Sequence, residues 1–183
     1  WTIQHSVPMA VKWAFDLRND YGVPAWFAFA CTAGAGIACI RLGRRLDRRG
    51  PMFAGGLFLF LVLDDATMLH ERTGALFAES LSRTGTYAWV IVLGVPFAIA
   101  GAWSAWSLFC CLQGHRGARV RVLLGFVALG LSILIEAAEE KVTHSGIRWR
   151  DVDLLLYTQL VEEWLEMVGP VLIAWGANGA AAR

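Results

Sequence analysis

Three acidic constellations stand in otherwise apolar stretches of the chain. Leu-Asp-Asp-Ala-Thr-Met-Leu-His-Glu occupies 63–71, Glu136 leads Glu139 and Glu140, and Glu-Glu-Trp-Leu-Glu-Met occupies 162–167. Carboxylates and an imidazole are the donor types of hard and borderline metal ions such as manganese, iron and zinc. On a helix, residues three, four or seven apart share a face. Asp64 and Glu71 are then expected on one face, Glu136 with Glu139 and Glu140, and Glu162 and Glu163 with Glu166, with His70 beside Glu71. An ionised carboxylate in a membrane interior costs several kcal/mol or more, so such a cluster must bind cations, hold protons, or pair with bases such as Lys12, Arg18, Arg72, Lys141, Arg148 and Arg150.

The elements that carry these residues are read from hydropathy. The hydrophobic fraction of the 183 residues is 57% and the mean hydropathy is +0.52, above the roughly 45–50% apolar content of soluble domains. A crossing helix needs roughly 17–25 apolar residues. Five segments fit, at about 24–41, 52–70, 87–112, 121–138 and 154–176. The expected fold is all-α: one integral membrane bundle over 1–183, of about five transmembrane helices, preceded by a short interfacial helix at 8–20. Pro24 suits an opening helical turn. Pro96 and Pro170 are expected to kink their helices, and the small residues Ala-Gly-Ala-Gly-Ile-Ala at 33–38 to allow close helix contact. No internal repeat is evident.

Loop charge gives the orientation. RLGRRLDRRG at 41–50 holds five Arg and QGHRGARVR at 113–121 holds three. Positive loops stay in the cytoplasm, which puts the N-terminus and the loops 71–86 and 139–153 outside and the C-terminus inside. Lys and Arg then number nine inside against seven outside, and only Asp47 of fifteen acids lies inside. At 1.5 Å per residue Asp64 lies ~18 Å along the second span and Glu162 ~12 Å into the fifth, so both approach the outer face. The expected location is the bacterial inner membrane, with lipids and other membrane subunits as partners and no nucleic acid.

The bland readings stand beside this one. Glu139, Glu140, Asp151 and Asp153 read as solvated interface acids, and Asp16 and Asp20 as complements to a helix N-terminus. Cys31, Cys39, Cys110 and Cys111 read as small buried hydrophobes rather than a disulfide or zinc framework. Trp26, Trp89, Trp149 and Trp175 read as interface markers.

Four stretches resemble an uncharacterised family of small bacterial multi-pass membrane proteins. FDLRNDYGVPAWF at 15–27 is similar to its opening Phe-Asn/Asp-Leu-Asp-x-Glu…Pro-x-Trp, and LDDATMLHE at 63–71 to its Leu-Asp-Glu…His-Glu. Glu136 is similar to its single Glu in that span, and EEWLEMVG at 162–169 to its Glu-Glu-x-Leu-Glu-Met-x-Gly. The resemblance implies a compact helical bundle with acidic positions at Asp64, Asp65, His70, Glu71, Glu136, Glu162, Glu163 and Glu166. Arg18 and Asp20 depart from the family's Asp and Glu. No activity comes with it.

The favoured reading is a buried carboxylate/His cluster near the periplasmic face that binds metal, with those eight residues as ligands, and a membrane metalloenzyme as its extension. A divalent or di-metal site of iron, manganese or zinc is preferred to a pigment or haem. Carboxylate-bridged di-metal bundles use inward Glu and Glu-x-x-His; here His70 follows the Asp pair by five and six residues, so the match is partial. The alternatives are a non-catalytic accessory subunit of a photosynthetic or respiratory complex, and a proton or cation pathway. No nucleotide-binding glycine loop, nucleophile elbow or zinc-protease motif is present, and whether the chain is an enzyme is left open.

Overall fold

A computed structural model describes residues 22–81, 85–145, 148, 149 and 152–181. It is all-helical apart from a two-residue antiparallel bridge, Arg148–Trp149 with Val152–Asp153. The helices are α1 (Val23–Leu46), α2 (Arg49–Thr67), α3 (Leu69–Leu81), α4 (Gly85–Cys111), α5 (Arg116–Ser145) and α6 (Leu154–Ala181). The interfacial helix expected at 8–20 lies outside the described residues.

Four segments are long and apolar enough to cross a membrane: Val23–Leu46, Arg49–Thr67, Val92–Cys111 and Arg116–Ala138. The burial pattern is that of a lipid-facing bundle. Large apolar side chains point out, with Ile99 66% and Leu134 65% exposed, while buried positions are mostly small, such as Ala35, Ala38, Cys39 and Ala54. In water that distribution would forfeit the main driving force for folding; in lipid, helices associate by close packing at small residues.

The long helices form a closed ring in the order α1, α2, α4, α5, α6 and back to α1, with α3 lying along α4. All five ring helices contribute to one core, which includes Leu42, Phe58, Leu108, Val122 and Ile173. The core occupies the half of the ring nearer the connections at 47–48 and 112–115. Those two basic connections lie together, as expected. A Cβ on Gly50 would come 2.7 Å from the Ser107 Cβ, which fixes the start of α2 against the end of α4. Two arginines there stack on rings, Arg119 on Phe109 at 3.7 Å and Arg121 on Trp175 at 3.9 Å, the arrangement expected of cations held at an interface.

The ring is built from one contact used twice. A Cβ on Gly55 of α2 would lie 2.6 Å from the Gly36 carbonyl oxygen and 2.5 Å from Ile40 Cγ1 of α1. A Cβ on Gly125 of α5 would lie 2.6 Å from the Gly169 oxygen and 2.5 Å from Ile173 Cγ1 of α6. Each helix supplies a glycine followed four residues later by Ile or Leu: GIACI, GGLFL, GFVAL and GPVLI. The pair α1–α2 therefore packs as the pair α6–α5 does. The sequence shows no repeat because only this four-residue spacing recurs. The small-residue stretch at 33–38 does form such a contact, through Gly36.

Several boundaries differ from expectation. The span expected at 52–70 stops at Thr67, because Met68 takes a left-handed conformation (φ 52°) and its N–H turns back to the carbonyls of Asp64 and Asp65. The loop expected at 71–86 is largely helix α3. Its residues favour helix, and Leu69, Leu76 and Phe77 recur at one-face spacing. The loop expected at 139–153 is shortened because α5 continues to Ser145. Glu and Lys at 139–141 are good helix formers, and a hydropathy limit misses a helix that runs on into polar residues. α4 and α6 continue through Pro96 and Pro170 as unbroken helices.

Candidate functional site

The left-handed residue at Met68 places His70, on the first turn of α3, back against the last turn of α2. His70 Nδ1 lies 2.8 Å from Asp64 Oδ2. Just inside that end, the Thr67 hydroxyl donates to the Leu63 carbonyl at 2.7 Å. A straight helix would set Asp64 and His70 six residues apart, on different faces. The break brings them together.

Asp64 is 3% exposed. One carboxylate oxygen meets His70; the other, Oδ1, is buried with no hydrogen-bond partner among the described residues. Buried polar atoms are nearly always paired, and a carboxylate is the costliest group to leave otherwise. Asp65, the next residue, faces outward. One ligand atom from each of Asp64, Asp65 and His70 lies within 4.8 Å of the others. A tetrahedral ion with bonds of ~2.1 Å holds its ligands ~3.4 Å apart, so these atoms would have to draw closer to hold one. A further protein group or water would complete four-coordination.

The other expected ligands are placed differently. Glu71 lies on α3, beyond the turn at Met68; its side chain lies outside the described residues. Glu136, Glu162, Glu163 and Glu166 are half-buried on α5 and α6. Each is engaged in an interaction, but among the described residues none joins the Asp64–Asp65–His70 group. The ring order explains this. α2 packs on α1 and α4, and α5 and α6 pack on each other, so α2 has no extensive contact with the helices that carry the glutamates. Glu139 and Glu140 lie outside the described side chains. Of the four cysteines, all free, Cys39 is buried as expected, whereas Cys31, Cys110 and Cys111 are half-exposed. Trp26 and Trp175 face outward as interface markers do.

Fold and site together define a helical bundle of the membrane-spanning kind with an Asp–Asp–His group at a helix break. The chain belongs to a family described as a domain of unknown function (DUF8692), whose model covers residues 1–178. No curated protein and no solved structure matches it significantly.

Proposed function

We propose that this is a metal-binding integral membrane protein whose α2–α3 break holds one divalent cation through Asp64, Asp65 and His70. The observation that carries the reading is Asp64 Oδ1, a buried carboxylate oxygen without a hydrogen-bond partner among the described residues, in a group with Asp65 and His70. A cation there satisfies it and offsets the charge of Asp65. The 2.8 Å contact between His70 Nδ1 and Asp64 Oδ2 already holds the imidazole beside the carboxylate with which it would share the ion. The mixed nitrogen and oxygen donors suit manganese, iron or zinc. Three protein donors leave a position for water or substrate, which is the layout of catalytic rather than closed structural sites. A metal bound there would supply Lewis-acid activation of water or of a carbonyl or phosphoryl group, and the exposed apolar side chains of Leu63 and Leu69 beside the site would face the bilayer.

In this reading α6 is the fifth membrane span. It packs along α5 from Gly169 to Gly176, and its glutamates lie at the same end of the ring as Asp64, away from the apolar core. The basic connections face the cytoplasm of a bacterial inner membrane, so the metal site lies toward the outer face. Lipid covers the exposed stripes.

The protein purified in detergent without chelator is expected to carry about one transition-metal ion per chain by elemental analysis. Fewer than about one ion per ten chains, with binding also absent after incubation with manganese, iron(II) or zinc, would exclude the site.

A further inference from the structure

At the opposite end from the acids, the α1–α2 connection and the end of α4 enclose a groove of about 420 Å³ lined by Leu46, Arg48, Cys110, Cys111 and Gln113. It lies within the most basic part of the molecule. The connections carry eight arginines over 41–49 and 116–121, with Asp47 as the one acid in those segments. Arg48 is exposed at the groove, and its place in the fold is held by its backbone, whose N–H donates to the Gly43 carbonyl at 2.9 Å. Its side chain lines the groove, where a ligand can reach it. An arginine fork binds phosphate oxygens in two-point fashion, and the Gln113 amide adds a second donor.

An exposed apolar stripe on α4 begins one helical turn from the groove. On α4, Cys110 is followed toward the other end by Trp106, Trp103, Ile99 and Val95, at helical steps of four, three, four and four residues. These four are 63%, 58%, 66% and 64% exposed. α4 is also the least buried of the four apolar spans. A free anion has no use for such a track; a phospholipid does. Basic pockets between membrane helices are headgroup sites of this kind.

We propose that this groove is a binding site for an anionic phospholipid, with the phosphate on Arg48 and Gln113 and the acyl chains along the Trp106–Val95 stripe. The site is separate from the metal group and does not depend on it.

Native mass spectrometry of the full chain in non-ionic detergent tests it with phosphatidylglycerol and phosphatidylcholine of matched acyl chains. Phosphatidylglycerol is expected to be retained about tenfold more tightly. Arg48→Gln is expected to abolish that preference, whereas Arg45→Gln, outside the groove, leaves it in place. Trp106→Ala is expected to weaken both lipids alike, and millimolar inorganic phosphate to displace neither. Equal retention of the two lipids overturns the proposal in the wild-type protein alone, whatever the variants do. So does an equal loss in Arg45→Gln and Arg48→Gln, which marks diffuse attraction. Displacement by inorganic phosphate also overturns it, by marking a simple anion site.

Discussion

Replacing Gly125 with leucine is expected to separate α5 from α6 and to cost about 3 kcal/mol or more of stability, at the upper end of what overpacking does. Even the first added carbon would stand 2.6 Å from the Gly169 carbonyl oxygen and 2.5 Å from Ile173 Cγ1. The backbone oxygen cannot yield without moving the whole helix, and leucine adds three more carbons beyond the first. In lipid the loss is not recovered by burying leucine, since the bilayer solvates it as well as the interface does. Gly130, five residues on and facing open space, is the control. Gly130→Leu should change stability by no more than about 0.5 kcal/mol. Denaturation in mixed micelles distinguishes the two; equal effects would mean that the α5–α6 contact does not govern the fold.

Asp64→Asn is expected to lower affinity for the bound cation at least tenfold, the scale seen even when groups outside the ligand set are altered. The change keeps shape and burial but removes the negative charge. The response of stability to chelator separates two accounts. If a metal holds the site, Asp64→Leu lowers the melting temperature of protein purified without chelator, and chelator no longer affects the variant. If no metal binds, Asp64→Leu still breaks the contact with His70 and lowers the melting temperature, but chelator then leaves the wild-type protein unchanged as well. Melting curves of the wild-type protein and both variants with and without chelator give the answer.

The sequence made the architecture legible where hydropathy and charge speak alone. Four of the five expected spans contain helices apolar enough to cross a membrane, and both arginine-rich connections meet at one end. The small-residue contact at 33–38 followed from Ala and Gly alone. The local geometry at 64–70 did not. A hydropathy window reads through Met68 because a left-handed methionine leaves no compositional mark, so the span reads on to residue 70 and α3 reads as loop. The same limit affects the wider acid layer. Spacing tells which carboxylates share a helix face, but ring order decides which helices touch. α2 and the α5–α6 pair are separated in that order, so three acidic motifs at similar depth yield one described group, at Asp64, Asp65 and His70. The repeated Gly-x-x-x-Ile/Leu spacing was present in the sequence throughout, in four helices. It became interpretable only when the structure paired Gly36 with Gly55 and Gly125 with Gly169.

The direct test is whether one ion touches His70. Chelator-stripped protein in lipid nanodiscs, loaded with one equivalent of manganese(II), is examined by pulsed electron paramagnetic resonance for coupling to imidazole nitrogen. The account predicts coupling from a single histidine, lost in His70→Gln. Manganese that shows no nitrogen coupling, or coupling that persists in His70→Gln, would contradict it.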